Sequence, residues 1–211
     1  MARVWQTATV APMPGLHALV VVAHPCEDSF CRALADAAER GLLAGGHTVD
    51  RIDLYADGFR AAMSRDERVA YDTDDPILDP QVADHARRLQ AADALVFVYP
   101  TWWAGLPAIL KGWLERVMVP GVGFRFDERT GKVRPGLTHL RRIVGISTYG
   151  SPKWYVSMVN DAGRRIITRA LRMSCGWRAK PTWMGLYALD TTTEADRRRF
   201  VSGVERKLAG L

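Results

Sequence analysis

The chain has 211 residues, 48% of them apolar and 25% charged, with a formal net charge of +6 and a pI of about 9.5. That length suits one domain burying about 70% of its unfolded surface without staples. No apolar run reaches the ~18 residues of a membrane span, and Cys26, Cys31 and Cys175 lack the CxxC spacing of a zinc site or the even count of a disulfide framework. The opening "MARVWQTATVAPMPG" has one Arg and no apolar core of signal-peptide length. Residues 1–15 are therefore expected to form an extension before a single domain over 16–211, and the compartment is expected to be the cytoplasm.

The elements alternate along the chain. "LHALVVVA" (16–23) is a continuous apolar run, the pattern of a parallel strand buried on both faces. A helix follows, with Ser29 as cap, Phe30, Leu34, Ala37, Ala38 and Leu42 on one face, and Gly45–Gly46 as its end. "TVDRIDLY" (48–55) is a second strand. Ser64 caps a short helix, an acidic loop follows, and "QVADHARRLQAA" (81–92) is helical. "DALVFVYP" (93–100) is the third strand and "PAILKGWLERV" (107–117) the next helix. "GVGFRFDERTGKVRPG" (121–136) reads as a hairpin-like excursion turning at Glu128–Gly131. "RRIVGISTYG" (141–150) is the fourth main strand, residues 155–174 are largely helix, "KPTWMGLYAL" (180–189) is the fifth, and Thr193 caps the last helix.

The positive charge does not point to nucleic acid. Arg165, Arg169 and Arg172 form a stripe opposite Ile166, Ile167, Ala170 and Leu171, which is a solvated helix face. No basic tail, zinc finger or RNP-like aromatic pattern is present, so neither nucleic acid nor a bound metal is expected.

Five strands alternating with helices imply an α/β fold, a doubly wound parallel sheet inside a three-layer sandwich. Five strands favour the flavodoxin-like order 2-1-3-4-5, with ligands at the carboxyl ends of the strands beside the switch point. Three loops then matter. "AHPCEDSF" (23–30) runs into a helix N-terminus, a site for phosphate, although Ser29 also reads simply as a cap. It is neither GxGxxG nor GxxxxGK[ST], which disfavours a Rossmann or P-loop site. "PTWWAGLP" (100–107) carries Trp102 and Trp103. Two adjacent tryptophans cannot share one strand face, so at least one points away from the core, where a planar ligand finds a wall. "STYGSPKWYV" (147–156) offers hydroxyls, a glycine and then aromatics.

These residues resemble the NAD(P)H:quinone oxidoreductase family of flavodoxin-like flavoproteins, including bacterial quinone and drug-modulator reductases. The resemblance rests on "AHPxxxSF", "DLYAxGF", "YPTWWxGLPAILKGWLERV" and "STYG", and covers about residues 16–190. It implies a flavin, FAD slightly favoured over FMN because residues 58–92 are long enough to cover an adenosine, and NAD(P)H as co-substrate. It implies that His24, Ser29, Phe30 and, at a position where the family often has Asn, Cys31 hold flavin phosphates. Pro100, Thr101, Trp102, Trp103 and Ala104 would run along the isoalloxazine, with Ser147, Thr148, Tyr149 and Gly150 at its polar edge.

Tyr155 matches the spacing of a substrate-side tyrosine of animal members. Tyr155 or Tyr149 is the expected hydrogen-bond donor to a quinone oxygen. Animal members carry a His six residues beyond that tyrosine, where this chain has Asp161. An aromatic often follows the tryptophan; Ala104 stands there and widens the substrate side. The implied activity is ping-pong transfer of hydride from NAD(P)H through flavin to a quinone-like acceptor. The implied assembly is a homodimer with sites at the interface. Alternatives are an azo, nitro or free-flavin reductase, or an electron-transfer or transporter-ancillary flavoprotein.

Overall fold

A computed structural model describes residues 15–211. The expected extension, apart from Gly15, lies outside the described residues. Five parallel strands form the sheet: β1 (His17–Val22), β2 (Thr48–Asp53), β3 (Ala94–Pro100), β6 (Arg142–Thr148) and β7 (Lys180–Leu186), in the order β2-β1-β3-β6-β7. The numbers skip because β4 (Phe124–Phe126) and β5 (Val133–Pro135) pair only with each other, antiparallel, in the expected hairpin excursion. The main sheet therefore has the expected flavodoxin-like order.

Register sets where the chain leaves the sheet. Val22 pairs with Val98 at the end of the β1–β3 ladder. β3 runs on, and Tyr99 and Pro100 pair with Ser147 and Thr148 of β6. A step thus opens above β1 at the switch point, where crossovers part to opposite sides.

Each sheet face carries its own core. On one side α1 (Phe30–Ala44) and α8 (Glu194–Ala209) cover Val20, Val22, Val96 and Val144. The α1 stripe Leu34, Ala37, Ala38 and Leu42 is fully buried, as its spacing requires. Each buried leucine contributes about 1.5–3 kcal/mol, and Leu34→Ala would cost about 2–5 kcal/mol. On the other side α3 (Pro80–Ala91) and α4 (Ala108–Val117) cover Leu19, Val21, Leu95 and Phe97. Gly112 of α4 is required there, because a Cβ would run into the Ala61 carbonyl. Arg116, also on α4, is buried between Glu67 of α2 (Arg65–Ala70) and Asp79, and so fastens the long connection between β2 and β3.

The capping expectations agree with the geometry. Ser29 accepts from Arg32 N–H, Ser64 forms a capping box with Glu67, and Thr193 does so with Asp196. Residues 155–174 are not one helix. α5 (Lys153–Met158) stops, Asn160 and Asp161 take left-handed φ of 73° and 38°, and α6 (Ala162–Arg165) begins after them. It continues through a π-helical turn (Ile166–Ala170) into α7 (Leu171–Ser174). Among the described residues no helix is long and apolar enough to cross a membrane.

Candidate active site

Three loops meet at the carboxyl edge and are stitched by short-range bonds. Ala23 N–H donates to Val98 O at 3.0 Å, and Thr101 N–H donates to Thr148 O at 2.8 Å. The Thr101 and Ser147 hydroxyls lie 2.8 Å apart. Ser147, Thr148 and Pro100 are buried at the strand ends.

The first loop has its polarity set by local bonds. Cys26 N–H donates to His24 Nδ1 at 3.1 Å. An acceptor Nδ1 puts the imidazole proton on Nε2, which is left to donate. Burial lowers the His24 pKa below its ordinary value, and the Arg32 charge adds to this. Arg32, in the first turn of α1, forms an ion pair with Asp53 at the end of β2. The N–H groups of Phe30 and Cys31 donate to no other group among the described residues. They are the free donors a helix start offers an anion. The Cys31 side chain faces the core instead, where burial pushes its thiol up to about 12. Asp28 is exposed to solvent.

The second loop is a tight turn. Trp102 N–H donates to Gly105 O at 3.2 Å and Gly105 N–H to Trp102 O at 3.0 Å. Between them Trp103 and Ala104 have φ of 47° and 56°. The turn swings Trp103 fully into solvent and leaves Trp102 43% exposed. The His24 and Trp102 rings lie 6.0 Å apart, which joins the first loop to the second.

The third loop holds Tyr149 inward. Its ring stacks on Tyr187 at 4.5 Å and 16°. Its hydroxyl donates to Asp161, 3.1 Å from each carboxylate oxygen. Burial raises the Tyr149 pKa, and the Asp161 charge raises it further. Tyr155 on α5 stays 42% exposed, edge-on to Trp154 at 5.9 Å.

A cavity of about 510 Å³ lies between the second and third loops. It brings together Thr101, Trp102, Trp103, Ala104, Tyr149, Gly150 and Tyr155, all expected from the sequence, and adds Ser151, Val156 and Val159. Val156 lies in α5 and Val159 caps its end, so the pair carries little helix-face signal in the sequence. His24, Ser29, Phe30 and Cys31 lie outside its lining, on the α1 side; the buried Pro100, Ser147 and Thr148 of the strand ends also lie outside it. With the Tyr149 hydroxyl committed to Asp161, Tyr155 is the tyrosine left to donate into the cavity.

The flavodoxin-like fold family model matches residues 17–177. The chain belongs to the flavodoxin-like fold family. This flavodoxin-like chain is 33% identical to NAD(P)H dehydrogenase (quinone) 1 of Rattus norvegicus over 153 residues, 65% of the chain and 55% of that relative. It thus spans about half the length of that curated relative. An NAD(P)H:quinone oxidoreductase from Methanothermobacter marburgensis superposes with a TM-score of 0.76 at 25% identity, over 93% of this chain and 96% of the other. An FMN-dependent NADH-azoreductase from Bacillus anthracis, solved with FMN, superposes with a TM-score of 0.69 at 16% identity, over 92% and 98%. That last likeness is one of fold.

Proposed function

We propose that the chain is a flavin-dependent NAD(P)H oxidoreductase that delivers two electrons to a quinone or a related planar acceptor. The observation that carries this reading is the cavity at the switch point, walled by the Trp102–Ala104 turn on one side and by Tyr149, Gly150 and Tyr155 on the other. The residues fit a flavin. The unbonded N–H groups of Phe30 and Cys31, with the Nε2 donor of His24, suit its phosphate. The aromatic turn and the exposed Gly150 backbone suit a flat ring with a polar rim.

A bound flavin supplies the redox chemistry: NAD(P)H, a proton and a quinone become NAD(P)⁺ and hydroquinone by two successive transfers of an electron pair. The chain supplies the rest. Thr101, which lines the cavity, is held in place by its bond to the buried Ser147. Trp102 and Trp103 narrow the opening and exclude water. Tyr155 holds the proton at its Oη against the acceptor oxygen. One opening serves donor and acceptor in turn, which gives ping-pong kinetics.

FAD remains the form we favour, because the residues 58–92 connection is long and is anchored by Arg116. A homodimer is part of the proposal: Trp103, Trp154 and Met158 expose apolar surface around the cavity, which a second copy would cover. The cytoplasm remains the proposed compartment, in keeping with three free thiols. Ala104 favours a second, wider acceptor range including azo and nitro compounds, since no side chain beyond Cβ fills the space beside Trp103. The test is NAD(P)H oxidation with and without menadione by flavin-loaded protein. Menadione-dependent turnover with parallel double-reciprocal plots is the expected result; oxidation that menadione does not accelerate contradicts it.

A further inference from the structure

Asp161 is 9% exposed, yet no Lys or Arg forms an ion pair with it among the described residues. Its oxygens accept only the Tyr149 hydroxyl and, at 3.4 Å, the Arg164 N–H of the helix it caps. A carboxylate so placed is costly, because neutral donors replace its hydration only in part. Asn160 and Asp161 are both left-handed, a conformation that short polar side chains such as theirs adopt more readily than other non-glycine residues. A buried carboxylate with no cationic partner, bonded to a residue that walls a cavity, marks a position worth testing for function.

The neighbours hold the charge where it is. Tyr149, whose hydroxyl donates to it, is itself a wall of the cavity and is clamped by Tyr187. The Tyr99 hydroxyl is buried without a partner. It packs beside Gly163, where a Cβ would come within 3.1 Å of it. Gly163 therefore lets α6 start close enough for Asp161 to turn inward. The nearby Asp190 carboxylate, by contrast, is exposed and screened by water.

We propose that Asp161, acting through Tyr149, is a positioning residue that lowers the reduction potential of the flavin held in the cavity. The proposal rests on the flavin reading above. Adding an electron pair and one proton to the ring makes it more negative, and a fixed carboxylate behind the Tyr149 wall opposes that gain. The reduced ring is then the better donor to the acceptor. In this role Asp161 is no substitute for a proton-relaying His, since it faces Tyr149 and not Tyr155.

The test is the midpoint potential of flavin-loaded protein. Asp161→Asn keeps the cap, tolerates the left-handed backbone and leaves an oxygen for Tyr149, but removes the charge. It should tighten reduced over oxidised flavin about tenfold, a rise of about 30 mV for a two-electron couple. The NAD(P)H half-reaction should speed up and the quinone half-reaction slow, a split that a purely structural role would not produce. Asp190→Asn should leave the potential where it was. An unchanged or lower potential in D161N, or equal rises in both variants, overturns the proposal and leaves the flavin reading standing. Should D161N not retain flavin, Asp161→Ser, also a capping residue, is measured in its place against the same outcomes. Wild-type protein that takes up no flavin overturns the functional reading itself.

Discussion

Trp102 and Gly105 bond each other twice through their backbones, at 3.2 and 3.0 Å, and so hold Trp103 and Ala104 in a left-handed turn. Glycine is the residue that takes such a conformation without cost. Ala104→Gly should therefore raise stability by up to about 1 kcal/mol, and Ala104→Val should lower it by about 1–2 kcal/mol, in urea unfolding. A valine variant as stable as wild type would show that the turn is not held as described.

Trp103 contributes little to the core, being fully exposed. Trp103→Ala should change stability by no more than about 0.5 kcal/mol. If the indole walls the flavin or acceptor, the same variant should weaken that binding up to about tenfold, the scale of one aromatic contact. Flavin fluorescence titration, with menadione KM alongside, reads both. Unchanged values for both would remove Trp103 from the site.

Arg116 is a different case, a buried cation with two acidic partners. Its guanidinium lies 2.5 Å from Glu67 and 2.7 Å from Asp79. Asp79 is held below the usual carboxylate range chiefly by the Arg116 bond, against a smaller effect of burial. In Glu67 burial pulls upward, but the bonds from Ser64 N–H and Arg116 outweigh it. Both folded-state values lie below the unfolded ones of about 4, so the network stabilises fully at neutral pH and loses its effect as pH falls through the folded values. Arg116→Met should cost about 3 kcal/mol at pH 7, softened by Arg60 nearby. The gap in Tm between variant and wild type should narrow below about pH 4. A gap independent of pH would contradict the ion-pair account.

Much of this arrangement was legible in residue patterns. The runs "LVVV" and "LVFVYP" have no polar alternation, and their buried strands follow from that alone. Ser29, Ser64 and Thr193 are local signals, complete within four residues, and each is a cap in the fold. Strand order followed from strand count and crossover handedness, and it placed the three loops on one edge.

What was not legible depends on contacts distant in sequence. Nothing in "TWWAG" shows that Trp103 and Ala104 are left-handed, since neither residue type favours it. The apolar spacing after Tyr155 reads as continuous helix because the reason for the break is Tyr149, twelve residues upstream, drawing Asp161 inward. Cys31 occupies a cofactor-like position in the loop, but its side-chain direction is set by the α1 face and leads into the core.

Tyr155 and Tyr149 separate by the same logic. Tyr155→Phe should lower menadione turnover about tenfold or more with stability unchanged, since its hydroxyl has no partner within the chain among the described residues. Tyr149→Phe should instead destabilise by about 1–3 kcal/mol, because it strips the buried Asp161 of its donor. Steady-state kinetics and thermal unfolding of both variants read this; the reverse pattern would exchange their roles.

The most direct test of the account is an anaerobic titration of the purified, flavin-loaded protein followed by its visible absorbance. The account predicts one tightly held flavin per chain, bleached by one equivalent of NAD(P)H and restored by one equivalent of menadione. A protein that holds no flavin, or whose flavin NAD(P)H does not bleach, would contradict it.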